Sequence, residues 1–120
     1  MSDSYLDQNA LDALDEVTGG DVEFLSELVD TFLEDAPLLM TELHQAIQAG
    51  NAGEVRRLAH GLKGNGREFG ATSFARLCET LEHHAADGNL RDAQDLYNNI
   101  EEEFPRVQDA LEAYIDSQED

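Results

Sequence analysis

Apolar residues in this chain recur every three or four positions, and nowhere do they alternate over a run long enough to make a strand. That period admits amphipathic helices. A first short stripe, Ala10, Leu11, Ala13, Leu14 and Val17, stops at Gly19-Gly20. Asp21 reads as the N-cap of a longer helix, because its carboxylate can accept from the unpaired amides of a first turn. Its stripe runs from Val22 and Leu25 through Phe32 to Leu43 and Ile47. Pro37 interrupts that stripe and should kink the helix or restart it at Asp35, since proline has no N–H to donate to the preceding turn. Asn51 with Glu54 reads as a capping box opening a third helix, which Gly70 ends. Thr72 or Ser73 should cap a fourth, with Phe74, Leu77, Cys78, Leu81 and Ala85 inward. Asn89 with Asp92 should cap a fifth, bent at Pro105, before a frayed tail from Ser117. The expected fold is all-α: an antiparallel four-helix bundle with bundle helices at about 21–49, 52–69, 73–87 and 90–116, and a short additional N-terminal helix as a lid. Residues 1–120 read as one domain, with no repeat or linker inside it. The initiating Met1 favours a free-standing chain.

Charge narrows the function classes. Asp and Glu number 27 against 7 Lys and Arg, a formal net charge of −20. Nucleic acid and anionic membrane surfaces would repel such a chain, so neither is an expected partner. With 41% hydrophobic residues the acidity does not imply disorder. No apolar run approaches the length of a membrane span, and no leader peptide opens the chain. The single cysteine, Cys78, cannot form an internal disulfide, which fits a reducing cytoplasm.

The seven basic residues are not spread evenly. Arg56, Arg57, Lys63 and Arg67 fall within twelve residues, so the stretch from Glu54 to Glu68 is net +2 inside a strongly acidic chain. At about 100° per residue all four, and Gly64, lie within about 60° of His60 on the third helix. Leu58, Leu62 and Phe69 lie opposite, so the apolar stripe turns inward and His60 outward, among cations. Such a setting would stabilise an anion carried on the imidazole, a phosphoryl group for instance. A glycine inside a helix costs roughly 0.5–1 kcal/mol against alanine, so Gly64, one turn beyond the histidine, suggests close approach by another backbone.

His60-Gly61-Leu62-Lys63-Gly64-Asn65-Gly66, followed by Phe69-Gly70-Ala71, resembles the signature of histidine-containing phosphotransfer (HPt) domains. The stretches Gly19-Gly20-Asp21, Phe32 to Pro37 and Leu77 to Glu82 extend the likeness over nearly the whole chain. The resemblance implies a four-helix bundle whose exposed histidine takes a phosphoryl group from one receiver-domain aspartate and passes it to another in a two-component phosphorelay. It implies His60 as phospho-acceptor through Nε2, Lys63 as a holder of the phosphoryl oxygens, and Gly64 as clearance for the receiver's loops. Gly70 takes the family's helix-ending position. Glu82 would accept from Nδ1–H, while Arg56, Arg57 and Arg67, picked out by the charge island and not by the signature, would support the site. The implied partners are response-regulator receiver domains and a histidine kinase, often hybrid, with the chain acting as a monomer. The chain needs no cofactor of its own on this reading, and Mg²⁺ would sit in the receiver's acidic pocket. With no Gly-rich phosphate loop there is no ATP site, so the expected role is a phosphocarrier and not an enzyme.

Other features read more plainly. His83 and His84 are adjacent on a helix and point about 100° apart, so they cannot chelate one metal, and no metal site is expected. His44 reads as a boundary residue, Cys78 as a small buried hydrophobe, and Glu101-Glu102-Glu103 as a solvated face. The competing functional reading is an adaptor that docks signalling partners through the basic face without chemistry; retention of both His60 and Lys63 argues against it.

Overall fold

The computed structural model describes residues 6–119. It contains five helices: α1 (Gln8–Thr18), α2 (Val22–Gln48), α3 (Ala52–Glu68), α4 (Thr72–Ala86) and α5 (Ala93–Glu119). Helix α3 packs on α2 and α4, and α5 packs on the same two from the other side, so the four long helices close into a ring. Helix α1 lies against α2 and α3 and buries Leu11 and Leu14 there. Ala71, at the start of α4, forms an isolated antiparallel bridge with Leu6.

The core is the set of inward stripes. Leu25, Leu43, Val55, Leu62, Phe74, Leu81, Ile100, Val107 and Leu111 are all fully buried. At one level of the bundle α2, α4 and α5 each send in a ring, and Phe69, the residue just past α3, adds a fourth. Phe32 stacks on Phe69 at 4.8 Å and meets Phe74 and Phe104 edge-on at 6.5 and 6.0 Å. Such pairs add about 0.5–1.5 kcal/mol each beyond the area they bury.

Two glycines are demanded by packing. Gly66, on α3, packs directly against α4, and a Cβ there would stand 2.9 Å from Phe74 Cδ2. Gly70 turns the chain between the same helices with φ of +75°, and a Cβ on it would be only 3.0 Å from the backbone of Asp7. Its carbonyl accepts from Asp7 N–H at 2.7 Å, tying the segment before α1 to the α3–α4 turn.

The caps separate into those that formed and those that did not. Asp21 accepts from the amides of Glu23 and Phe24, and Asn51 accepts from Glu54 N–H. Glu54 does not complete a reciprocal box, because its carboxylate is taken by Arg57. Helix α4 starts with Ala71 as its cap residue and no capping side chain; Thr72 instead donates to the Gly70 carbonyl. Helix α5 begins at Ala93, three residues after the expected 90. Asn89 accepts from Arg91 N–H and closes a tight turn before the helix can start.

Neither proline restarts its helix: α2 runs through Pro37 and α5 through Pro105. Both prolines are exposed and so lie on the outer face of their helix, where a missing N–H is tolerated better than in the core. The C-terminal residues expected to fray continue α5 to Glu119. Val17 is 70% exposed and lies outside the inward stripe of α1, with Thr18 buried instead. Glu103, expected on a solvated face, is buried beside the exposed Arg106.

Candidate functional site

His60 lies midway along α3 with its side chain 66% exposed. The helix there is anchored by Leu58, Ala59 and Leu62, which are buried in the core on its opposite face. The imidazole itself is held from the neighbouring helix. Glu82, on α4, faces Nδ1 through Oε2 at 2.7 Å. Its other oxygen, Oε1, pairs with the Lys63 ammonium at 2.6 Å. One carboxylate thus joins both residues of the His-x-x-Lys pair across the α3–α4 seam.

Burial pushes the Glu82 carboxyl up, but contact with Lys63 and then His60, and the charge of both, outweigh it and hold its pKa below the usual carboxylate value. An ionised carboxylate at Nδ1 requires the hydrogen to be on that nitrogen, and the ring donates it. Nε2 is then the nitrogen with the available lone pair.

Helical side chains lean toward the N-terminus of their helix, so the ring of His60 lies over the turn that precedes it. A cavity of about 300 Å³ opens there, lined by Gly53, Arg56, Arg57, His60 and Glu82. Gly64 lies on the other side of the ring, and a Cβ there would meet nothing within 4 Å. No part of the bundle needs that position bare, unlike Gly66 two residues on.

The basic island is less uniform than its wheel suggests. Lys63, expected beside the ring on the outward face, has its side chain only 13% exposed, folded onto Glu82. Arg57 makes a two-pronged pair with Glu54, at 3.0 and 2.6 Å. Arg67 reaches across to Glu79 at 3.0 Å and lines a different hollow of about 350 Å³, with Asp7, Thr72 and Arg76. Arg56 is exposed, and among the described residues no carboxylate pairs with it. The sequence reading missed Glu79, although its place three residues before Glu82 puts both carboxylates on the face of α4 that meets α3.

His44 stacks on Tyr97 at 4.7 Å, as a boundary residue should. Burial pushes the Cys78 thiol up to about 12, which leaves it an unreactive part of the core. Among the described residues no group of three or more His, Cys, Asp or Glu is arranged to hold a metal ion, and no helix is long and apolar enough to cross a membrane.

A closed four-helix ring that holds one histidine outward by a carboxylate from the next helix defines a class of protein that presents an imidazole to a partner. The family model for the Hpt domain matches residues 27–116. The crystal structure of histidine-containing phosphotransfer protein B (HptB) from Pseudomonas aeruginosa PAO1 superposes with a TM-score of 0.87 at 34% identity, covering 97% of this chain and 98% of that one. Multistep phosphorelay regulator 1 of Schizosaccharomyces pombe is 29% identical over 87 residues, 72% of this chain; the match spans 28% of that curated relative's length. The chain belongs to the Hpt domain family, and its function is histidine phosphotransfer in a two-component phosphorelay. Hpt domains work with receiver domains and kinases, as carriers of the phosphoryl group.

Proposed function

We propose that His60 is the residue that carries the phosphoryl group, accepting it at Nε2 from a receiver-domain aspartyl phosphate and returning it to another receiver aspartate. The observation that carries this is the Glu82 contact at Nδ1, which leaves Nε2 as the available nucleophilic nitrogen of an exposed ring.

The step balances without a proton leaving the ring. The Nε2 lone pair forms the N–P bond as the acyl-phosphate P–O bond breaks, and the departing aspartate carboxylate keeps the electron pair. The ring acquires positive charge, which Glu82 faces across the Nδ1 hydrogen bond. Lys63 keeps Glu82 ionised and in place. Gly64 leaves space for the receiver's loops to close over the ring. Arg56 and Arg57 add positive charge on the cavity side, and Arg67 supports the edge of the docking face. The transfer itself needs little more than positioning and charge neutralisation, with Mg²⁺ supplied by the receiver's own acidic pocket. On this reading residues 1–120 act as a single cytoplasmic, monomeric phosphocarrier domain, with no ATP site, cofactor, nucleic-acid or membrane partner of its own.

Incubation with a phosphorylated receiver domain should label wild-type protein and leave His60→Gln unlabelled, while the helical circular dichroism of the variant is unchanged. Labelling that survives the substitution would place the acceptor elsewhere.

A further inference from the structure

Three cations surround the turn on which His60 rests, and two are already engaged. Lys63 is held at 2.6 Å by Glu82, and Arg57 is clamped by both oxygens of Glu54. Arg56 is the third. It stands one helical turn before His60, a spacing that brings side chains together on one face at about 5–6 Å between Cβ atoms. It lines the same cavity as the imidazole, and no carboxylate among the described residues answers its charge. Gly53 also lines that cavity and puts no side chain into it.

Taken with the lean of the ring toward its own N-terminus, these positions give the site a polarity. Glu82 and Lys63 lie on the Nδ1 side of the ring. Arg56 lies upstream, and the cavity it shares with the imidazole and Glu82 leaves room beside the ring for a group carried on it. We infer that Arg56 is the residue of this chain that meets the phosphoryl oxygens on His60, and that Lys63 acts on the reaction through Glu82. This rests on His60 being the acceptor and assigns a division of labour among the surrounding cations. A phosphoryl group brings close to two negative charges, and an Arg guanidinium can satisfy two of its oxygens at once. Before phosphorylation Arg56 has nothing to release; Lys63 would have to leave Glu82, stripping the carboxylate of its counter-charge just as the ring needs it.

A small phosphodonor tests this without any docking surface. Phosphoramidate transfers its phosphoryl group as its N–P bond breaks, ammonia leaves with the electron pair, and Nε2 forms the new N–P bond. In excess ammonium the ratio of phosphorylated to free protein measures the stability of the phospho-form, read by ³¹P NMR with peptide mapping of the label. Arg56→Met should lower that ratio about three- to fivefold, as expected for losing one partly exposed charge pair. Arg56→Lys should recover part of the loss. Arg76→Met, which removes the same charge from a different hollow, should leave the ratio within twofold. Equal shifts in Arg56→Met and Arg76→Met, or no shift in either, would overturn the assignment to Arg56. Absence of label from His60 in the wild type would instead refute the acceptor reading beneath it.

Discussion

Glu82 faces a lysine with one oxygen and a histidine with the other, so a single substitution there disturbs both. Glu82→Gln would keep the shape while removing the charge that the ring faces during transfer. Phosphotransfer from a receiver should slow roughly tenfold, the loss of one charge-assisted hydrogen bond of about 1.5 kcal/mol. The same residue has a pH signature. Its folded-state pKa is lowered from an ordinary value of 4.5, so its contribution to stability is present above that value and is lost as pH falls below it. Wild type should therefore exceed Glu82→Gln in stability at pH 6 to 7, with the gap closing as the pH is taken below 4.5, followed by urea unfolding at each pH. A gap that stays constant through that range would mean the carboxylate is not held by these partners.

Within α3, two glycines separated by one residue should behave oppositely. Gly66→Ala forces a methyl group against Phe74, 2.9 Å away, and should cost about 1–3 kcal/mol in urea unfolding. Gly64→Ala meets nothing and should leave stability equal or higher by up to about 1 kcal/mol, since alanine is the better helix former; transfer from a receiver should slow all the same. The element level also separates what the sequence made legible from what it did not. The inward stripes that include Leu43, Leu62 and Leu81 were readable because burial on one helical face is a periodic property. The caps at Asp21 and Asn51 were readable because a short acceptor beside a first turn acts locally. The start of α5 was not, because Asn89 had two local uses and the turn at Arg91 took it. Lys63 was misplaced on the wheel for a similar reason. A helical projection gives the direction of Cβ, whereas a long side chain follows its partner, and Glu82 is on another helix.

Across the whole molecule, 27 acidic residues stand against 7 basic ones, and the excess charge is self-repelling. Added salt should screen that repulsion, so raising NaCl from 0.05 to 0.5 M should raise the melting temperature by about 4 °C, equivalent to about 1 kcal/mol for a domain of this size. A fall over that range would show that attractive pairs such as Arg57–Glu54 and Arg67–Glu79 outweigh the general repulsion. The acid charge also bears on choice of partner, because a receiver must approach this face through a field that is negative nearly everywhere else. The proposed chemistry, by contrast, is confined to one short stretch of chain. Gly53, Arg56, Arg57, His60, Lys63, Gly64 and Glu82 all belong to α3 and α4, which are joined by a three-residue turn and pressed together at Gly66. Helices α2 and α5 supply the floor beneath that hairpin. A change in either that preserves its buried stripe leaves the residues proposed to handle phosphate in register, so the hairpin can be inherited as a cassette while the scaffold around it drifts in sequence.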